Sequence, residues 1–204
     1  MARKGLFNLE KHFAFYGAYH SNKVNVLIHT LFVWPIFFSA LVLFYFTPSI
    51  CELMGTQPQC FLARHGLFLN FGFFFALAYS VFYLLMDVKA GSLAALLCMA
   101  CWVGASNLAL TIGFSLAWKA VLATQLFCWT GQFIGHSFFE KRAPALLDNL
   151  AQAFLMAPFF VLLEVLQAVF DYEPYPGFNT SVSLKIEADI REWQEMKQSK
   201  LALN

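Results

Sequence analysis

Charge is what this sequence has least of. Only 12% of its 204 residues are Asp, Glu, Lys or Arg, about half the share of an ordinary soluble domain, while 60% are hydrophobic. A soluble chain this short cannot bury that much apolar surface, so a soluble globular fold is excluded. The formal net charge of +1 gives no basic patch for nucleic acid and no polybasic membrane-surface segment. A cleavable signal peptide is also missing: Arg3, Lys4, Glu10, Lys11 and Lys23 interrupt the first 25 residues, so the first long apolar run is expected to remain as an anchor. Five cysteines do not amount to a disulfide framework. Cys98 and Cys101 form a C-x-x-C inside an apolar run with no second pair, and there they read as small packing side chains. Cys51 and Cys60 share one loop and could pair only where that loop faces an oxidising compartment. No internal repeat is visible.

What the chain has instead is Phe, 25 times, and long apolar runs. A spanning helix needs about 20 mostly apolar residues. Four runs qualify: residues 25–46, with Pro35 as a tolerable kink; 66–86, closed by Asp87-Val88-Lys89; 90–110; and about 116–139, ending at Glu140-Lys141-Arg142. The third carries Gly91, Ala94, Ala95, Ala100, Gly104, Ala105 and Ser106, small residues that let membrane helices approach closely, and it is expected to be central. A tight turn near Gly113 joins it to the fourth. A fifth run, 150–170, contains Pro158 and Glu164. A carboxylate at mid-bilayer costs about 2.5–3.5 kcal/mol, so this run is expected to be re-entrant or interfacial. The fold class is all-α, a polytopic membrane bundle of about four transmembrane helices plus this segment. Residues 1–170 form the membrane-embedded unit, and 171–204 a polar tail with an amphipathic helix. Lys and Arg cluster before the first run, at Lys89 and after the fourth, with Arg64 on the other side, which places both termini in the cytosol.

Topology sorts the five histidines. His20 and His29 flank the start of the first span and His136 lies at the end of the fourth, on one side of the membrane. His65 falls on the other side, and His12 is farther out in a polar segment. Ser21 or Asn22 is a natural N-cap. A chain break there is required, because nine residues of continuous helix would turn His20 and His29 to opposite faces. Gln125, Trp129, Gln132, His136 and Glu140 follow steps of three and four and share one face of the fourth span. A polar stripe of that kind faces the bundle interior or a water-filled cavity. Two histidines with a carboxylate suit Fe(II) with open positions for O2 and substrate; zinc accepts the same ligands. The H-x-x-H-H boxes of membrane di-iron enzymes are absent, so a mononuclear centre is the economical reading. The fourth ligand is left between Glu140 and His12.

These residues also resemble a known family, the small multi-pass membrane proteins typified by the 2-hydroxy-palmitate dioxygenase of fungal phytosphingosine breakdown. The resemblance lies in Tyr16-Gly17-x-x-His20-x-Asn22-x-x-Asn25-x-x-x-His29 followed by Pro35. It continues in Gln132-Phe133-Ile134-Gly135-His136 followed by Glu140-Lys141-Arg142-Ala143-Pro144-Ala145-Leu146. It implies an Fe(II)-dependent dioxygenase of the endoplasmic reticulum that uses O2 to shorten 2-hydroxy fatty acids by one carbon, the alpha-oxidation step of sphingolipid catabolism. The family's matching positions are His20, His29 and His136, with Glu140 carried alongside. Asn22, Asn25 and Gln132 would orient imidazoles or meet substrate, and Lys141 or Arg142 would pair with its carboxylate. The endoplasmic-reticulum location rests on the resemblance, since the final residues Lys200-Leu201-Ala202-Leu203-Asn204 carry no retrieval signal. Two other readings use the same residues: a non-enzymatic lipid-binding or scaffold protein, and a zinc-dependent membrane hydrolase.

Overall fold

The computed structural model describes residues 5–56, 65–144, 150 and 152–202, and among them every regular element is helical. After a 3-10 turn at Gly5–Phe7, the first α-helix is α1 (Leu9–Tyr19), capped by the Asn8 side chain. The second, α2 (Lys23–Phe44), starts at Asn22, whose side chain accepts from the Val24 N–H at 2.9 Å. After a short α3 (Ile50–Leu53) come α4 (Phe71–Met86) and α5 (Val88–Ile134). Gly113 divides α5, with φ 69° and ψ 166°, a conformation open almost only to glycine. A π-helical turn, Gly135–Glu140, continues it. The chain then runs through a second π turn, Gln152–Met156, into α6 (Ala157–Phe170), and ends in α7 (Phe178–Ala202).

Side-chain pairings show how the chain folds back on itself. Phe44 meets Phe71, and Phe37 meets Tyr79, so α4 runs antiparallel to α2. Phe73 packs on Trp102, and the Ser80 hydroxyl donates to the Ala95 carbonyl, so the first half of α5 reverses again. In the second half, Gln125 bonds to Ile36, Gly131 lies against Phe32 and Gly135 against Asn25, a return antiparallel to α2. The result is an up-down-up-down bundle of four spans, as the sequence suggests. The Lys23–Phe44 and Val88–Glu140 stretches, the latter folded at Gly113, are long and apolar enough to cross a membrane; so is Ala153–Phe170, while α4 is a shorter apolar helix. That helix begins five residues later than its apolar run because Asn70 caps it, accepting from the Phe73 N–H and donating to the Tyr45 carbonyl.

The small residues of the third span do what their size permits. Ala94, Cys98, Ala105 and Ala109 are fully buried along one stripe. A Cβ at Gly91 would sit 2.1 Å from the Tyr83 carbonyl oxygen, so glycine is what allows α4 and α5 to be joined through Asp87 alone. Cys98 and Cys101 are free thiols packed among helices; Cys51 is free as well, and Cys60 and Arg64 lie outside the described residues.

The fifth apolar run is long and apolar enough to cross a membrane, and its described part, from Gln152 to Phe170, packs against the bundle. Its start lies halfway along the bundle, where Tyr79 and Tyr83 donate to the Phe154 and Leu155 carbonyls and Phe154 packs on Trp129. Its far portion returns to the end where α2 begins, and there Tyr16 donates to Glu164 at 3.0 Å. The carboxylate therefore sits at the rim with a partner.

The polar tail docks on α1. Phe178 is fully buried against Phe13, and Ile186 fills the space left by Gly17. Glu10 accepts from Ser181 at 2.6 Å and also from Tyr175 and Lys185. The Lys185, Ser181 and Tyr175 donors hold the Glu10 carboxyl down at about 2, from an ordinary 4.5. Because the folded-state value is depressed, this contribution to docking is complete above about pH 4.5 and fades as pH falls through about 2. Limited proteolysis of α7 is expected to accelerate across that window, and Glu10→Gln is expected to remove that pH dependence.

Candidate metal site at the bundle rim

The site begins with the interruption between α1 and α2. His20 ends α1 with φ −132° and ψ 58°, its N–H bonded to the Gly17 carbonyl, and the helix restarts at Lys23. This break turns His20 back toward His29. The His20 Nδ1 pairs with the Tyr16 carbonyl at 2.8 Å and the His29 Nδ1 with the Asn25 carbonyl at 3.0 Å. Each backbone oxygen demands a proton on Nδ1, which leaves Nε2 as a lone-pair donor.

His136 enters from the helix packed against α2, in the π turn that follows α5. Gly135 brings it close, since a Cβ there would lie 2.2 Å from the Asn25 Oδ1. The three imidazoles then meet, with ring centroids 4.3, 4.8 and 4.9 Å apart and planes crossing at 81°, 74° and 78°. One nitrogen from each lies within 4.8 Å of the other two. His29 and His136 are almost wholly buried, and the His20 Nε2 and His136 Nδ1 are buried without a hydrogen-bond partner. Burial, with the neighbouring imidazoles of His29 and His136, pushes the His20 pKa well below its ordinary value, which favours the neutral, ligating form. Converging lone pairs without protein donors are costly unless a cation fills the space. The donor set fits a divalent transition metal.

Glu140 stands outside this trio. Its carboxylate accepts from the Ser21 hydroxyl at 2.9 Å, the Asn22 N–H at 2.8 Å and the Asn25 amide at 3.1 Å. The π turn, with its i→i+5 bonding, alters the α-helical offset that i, i+4 spacing assumes, and the carboxylate reaches the start of α2 instead. Asn22 and Asn25 thus belong to the clasp that shapes the break. Gln132 is buried on the wall of a small cavity of about 50 Å³ that His20, His29 and His136 also line. Arg142 is engaged elsewhere: it donates to the Ala18 carbonyl and to Asp189, each at 3.0 Å, and lies over the Tyr19 ring. Lys141 is exposed, in a left-handed conformation at φ 53°. His12 lies two turns before His20 on α1 and does not join the cluster. His65 is at the far end, beside Gly66, which approaches Tyr45 and Leu110.

Two residues at the site carried no assigned role in the sequence. Tyr16 stacks on His20, centroids 3.9 Å apart, while its hydroxyl bonds Glu164. The signal was there: a lone carboxylate in an apolar run calls for a partner. The stripe on the fourth span also differs from a water-facing one. Trp129 donates to Gln125 within α5, and Gln125 donates to the Ile36 carbonyl and the Ser39 hydroxyl of α2, so Gln125 ties the two helices together.

Fold and site together define a class: a polytopic membrane bundle with a buried three-histidine cluster at one rim. Comparison with known proteins makes this specific. A family described as "2-hydroxy-palmitic acid dioxygenase Mpo1-like" matches residues 6–169, and the chain belongs to that family. It is 32% identical to the 2-hydroxy-palmitic acid dioxygenase MPO1 of Saccharomyces cerevisiae over 98% of this chain and 97% of that protein. No solved structure matches the chain.

If Glu140 shapes the break, Glu140→Ala is expected to lower metal affinity about 10–100-fold and stability by roughly 2 kcal/mol, as charged hydrogen bonds are lost. Glu140→Gln, still able to accept from Asn22 and Asn25, is expected to recover most of the metal. Metal titration and melting in detergent check both; a Gln variant as metal-free as His136→Ala would make Glu140 a ligand.

Proposed function

We propose that this protein is an Fe(II)-dependent dioxygenase that shortens 2-hydroxy fatty acids by one carbon, in alpha-oxidation within phytosphingosine catabolism. Its place is the endoplasmic-reticulum membrane, with both termini and the histidine rim cytosolic. The observation that carries this reading is the convergence of His20, His29 and His136, one nitrogen of each within 4.8 Å of the others, in a membrane bundle. Kinship with a protein named as a 2-hydroxy-palmitic acid dioxygenase supports the chemistry.

His20, His29 and His136 hold the iron, with Tyr16 and Asn25 fixing two of the rings through their carbonyls. Iron, when bound, supplies the single-electron chemistry that O2 requires and leaves positions open for O2 and substrate. Glu140 keeps the α1–α2 break in shape. Of the two cations that follow Glu140, Arg142 is held by Asp189, and exposed Lys141 attracts the substrate carboxylate to the rim. Burial among Tyr16, Trp129 and Phe133 keeps bulk water from the reacting carbons. The C1–C2 bond of the substrate breaks. A 2-hydroxy acid and O2 give the acid one carbon shorter, carbon dioxide and water. The substrate loses four electrons and O2 gains the same four, so no outside reductant is needed.

Detergent-purified protein is expected to contain stoichiometric iron, to consume O2 on 2-hydroxypalmitate and to release equal carbon dioxide without added reductant. His20→Ala and His136→Ala are expected to lose both metal and activity. Stoichiometric zinc with no O2 uptake would favour the hydrolase. Absence of any metal, with histidine changes affecting stability alone, would favour a lipid-binding scaffold.

A further inference from the structure

Below the histidines lies a second, larger cavity of about 350 Å³. It shares Trp129, Gln132, Ala153 and Ala157 with the histidine pocket, so the two meet at a common neck. From there it follows one face of α2 from Val33 to Phe44, eleven residues or about 16 Å of helix. At its deep end it is lined by Phe44 and Phe75, whose rings meet edge to face at 5.1 Å.

The wall of this chamber bears no charged side chain. Beyond Gln132 at the neck, its Tyr79, Gln125 and Trp129 polar atoms are already bonded within the protein, to the Phe154 carbonyl, to α2 and to Gln125 respectively. A polar ligand or a chain of waters finds few partners there. An apolar chain loses nothing, and one that threads the neck places its head beside the three imidazoles.

We infer that this chamber is the acyl-chain subsite, and that Ala40, Phe44 and Phe75 set the chain length the protein accepts. The inference rests on the proposed function and deepens it: the occupant is the hydrocarbon tail of the same 2-hydroxy acid whose carboxyl end reaches the rim. Ala40, small and one turn above Phe44, leaves the bore open. A larger side chain there shortens it, and removal of either phenyl ring deepens it.

The test compares kcat/KM on 2-hydroxyoctanoate, 2-hydroxypalmitate and 2-hydroxylignocerate for the full-length protein in detergent. Ala40→Phe is expected to lower the palmitate-to-octanoate ratio by about fourfold for each methylene displaced. Phe44→Ala and Phe75→Ala are expected to raise the lignocerate-to-palmitate ratio. Ratios unchanged in every variant would overturn the inference while leaving the reaction intact. A binding arm stands apart from activity: a 2-hydroxy fatty acid with a diazirine at its methyl end is crosslinked to the wild-type protein. Label on α2 and α4 near Phe44 and Phe75 supports the chamber even where no acid is turned over, an outcome that would instead remove the functional reading. Label on outward residues such as Leu31 and Leu77 would overturn the chamber.

Discussion

The structure turns on the Glu140 carboxylate at the start of α2. Three donors from the Ser21–Asn25 segment converge on it, tying the end of the fourth span to the start of the first. A helix running unbroken through His20 and His29 would carry their rings to opposite faces. The clasp holds the interruption in the one shape that lets both face His136. Everything chemical at the rim is downstream of that constraint.

Around the clasp, each layer of the protein fixes the next. Tyr16 bonds Glu164 and stacks on His20, which couples α6 to the first histidine. Arg142 joins the end of the π turn to α1 through the Ala18 carbonyl and to the tail helix through Asp189. The tail helix in turn covers α1 with Phe178 and Ile186. The rim is therefore braced from the outside, while Gly131 and Gly135 let α2 and α5 approach from within.

Much of this was legible before any coordinates. The spans, the turn at Gly113, the crowded third helix and the need for a break near Ser21 all follow from run length, residue size and helical phase. Other features were hidden for physical reasons. A π turn has no sequence signature of its own, so the spacing of His136 and Glu140 read as an ordinary helical pair. Arg142 looked free to meet a carboxylate because Asp189, its partner, lies far along the chain. The tail reads as an amphipathic helix, and its apolar face is Phe178, Val182 and Ile186, four residues apart; that this face docks on α1 was hidden because Phe13 and Gly17, which it meets, lie far along the chain. Gln125 and Trp129 face the bundle interior, one of the two settings their stripe allows, where they bond each other and Gln125 also bonds α2.

The central claim is that three imidazoles hold one metal ion at this rim. X-ray absorption at the iron edge of iron-loaded protein in detergent tests it most directly. The account predicts the scattering of three imidazole ligands in the wild-type protein, and loss of the iron in His29→Ala as in the other two histidine variants. A spectrum without imidazole scattering, or one unchanged in His29→Ala, would contradict it.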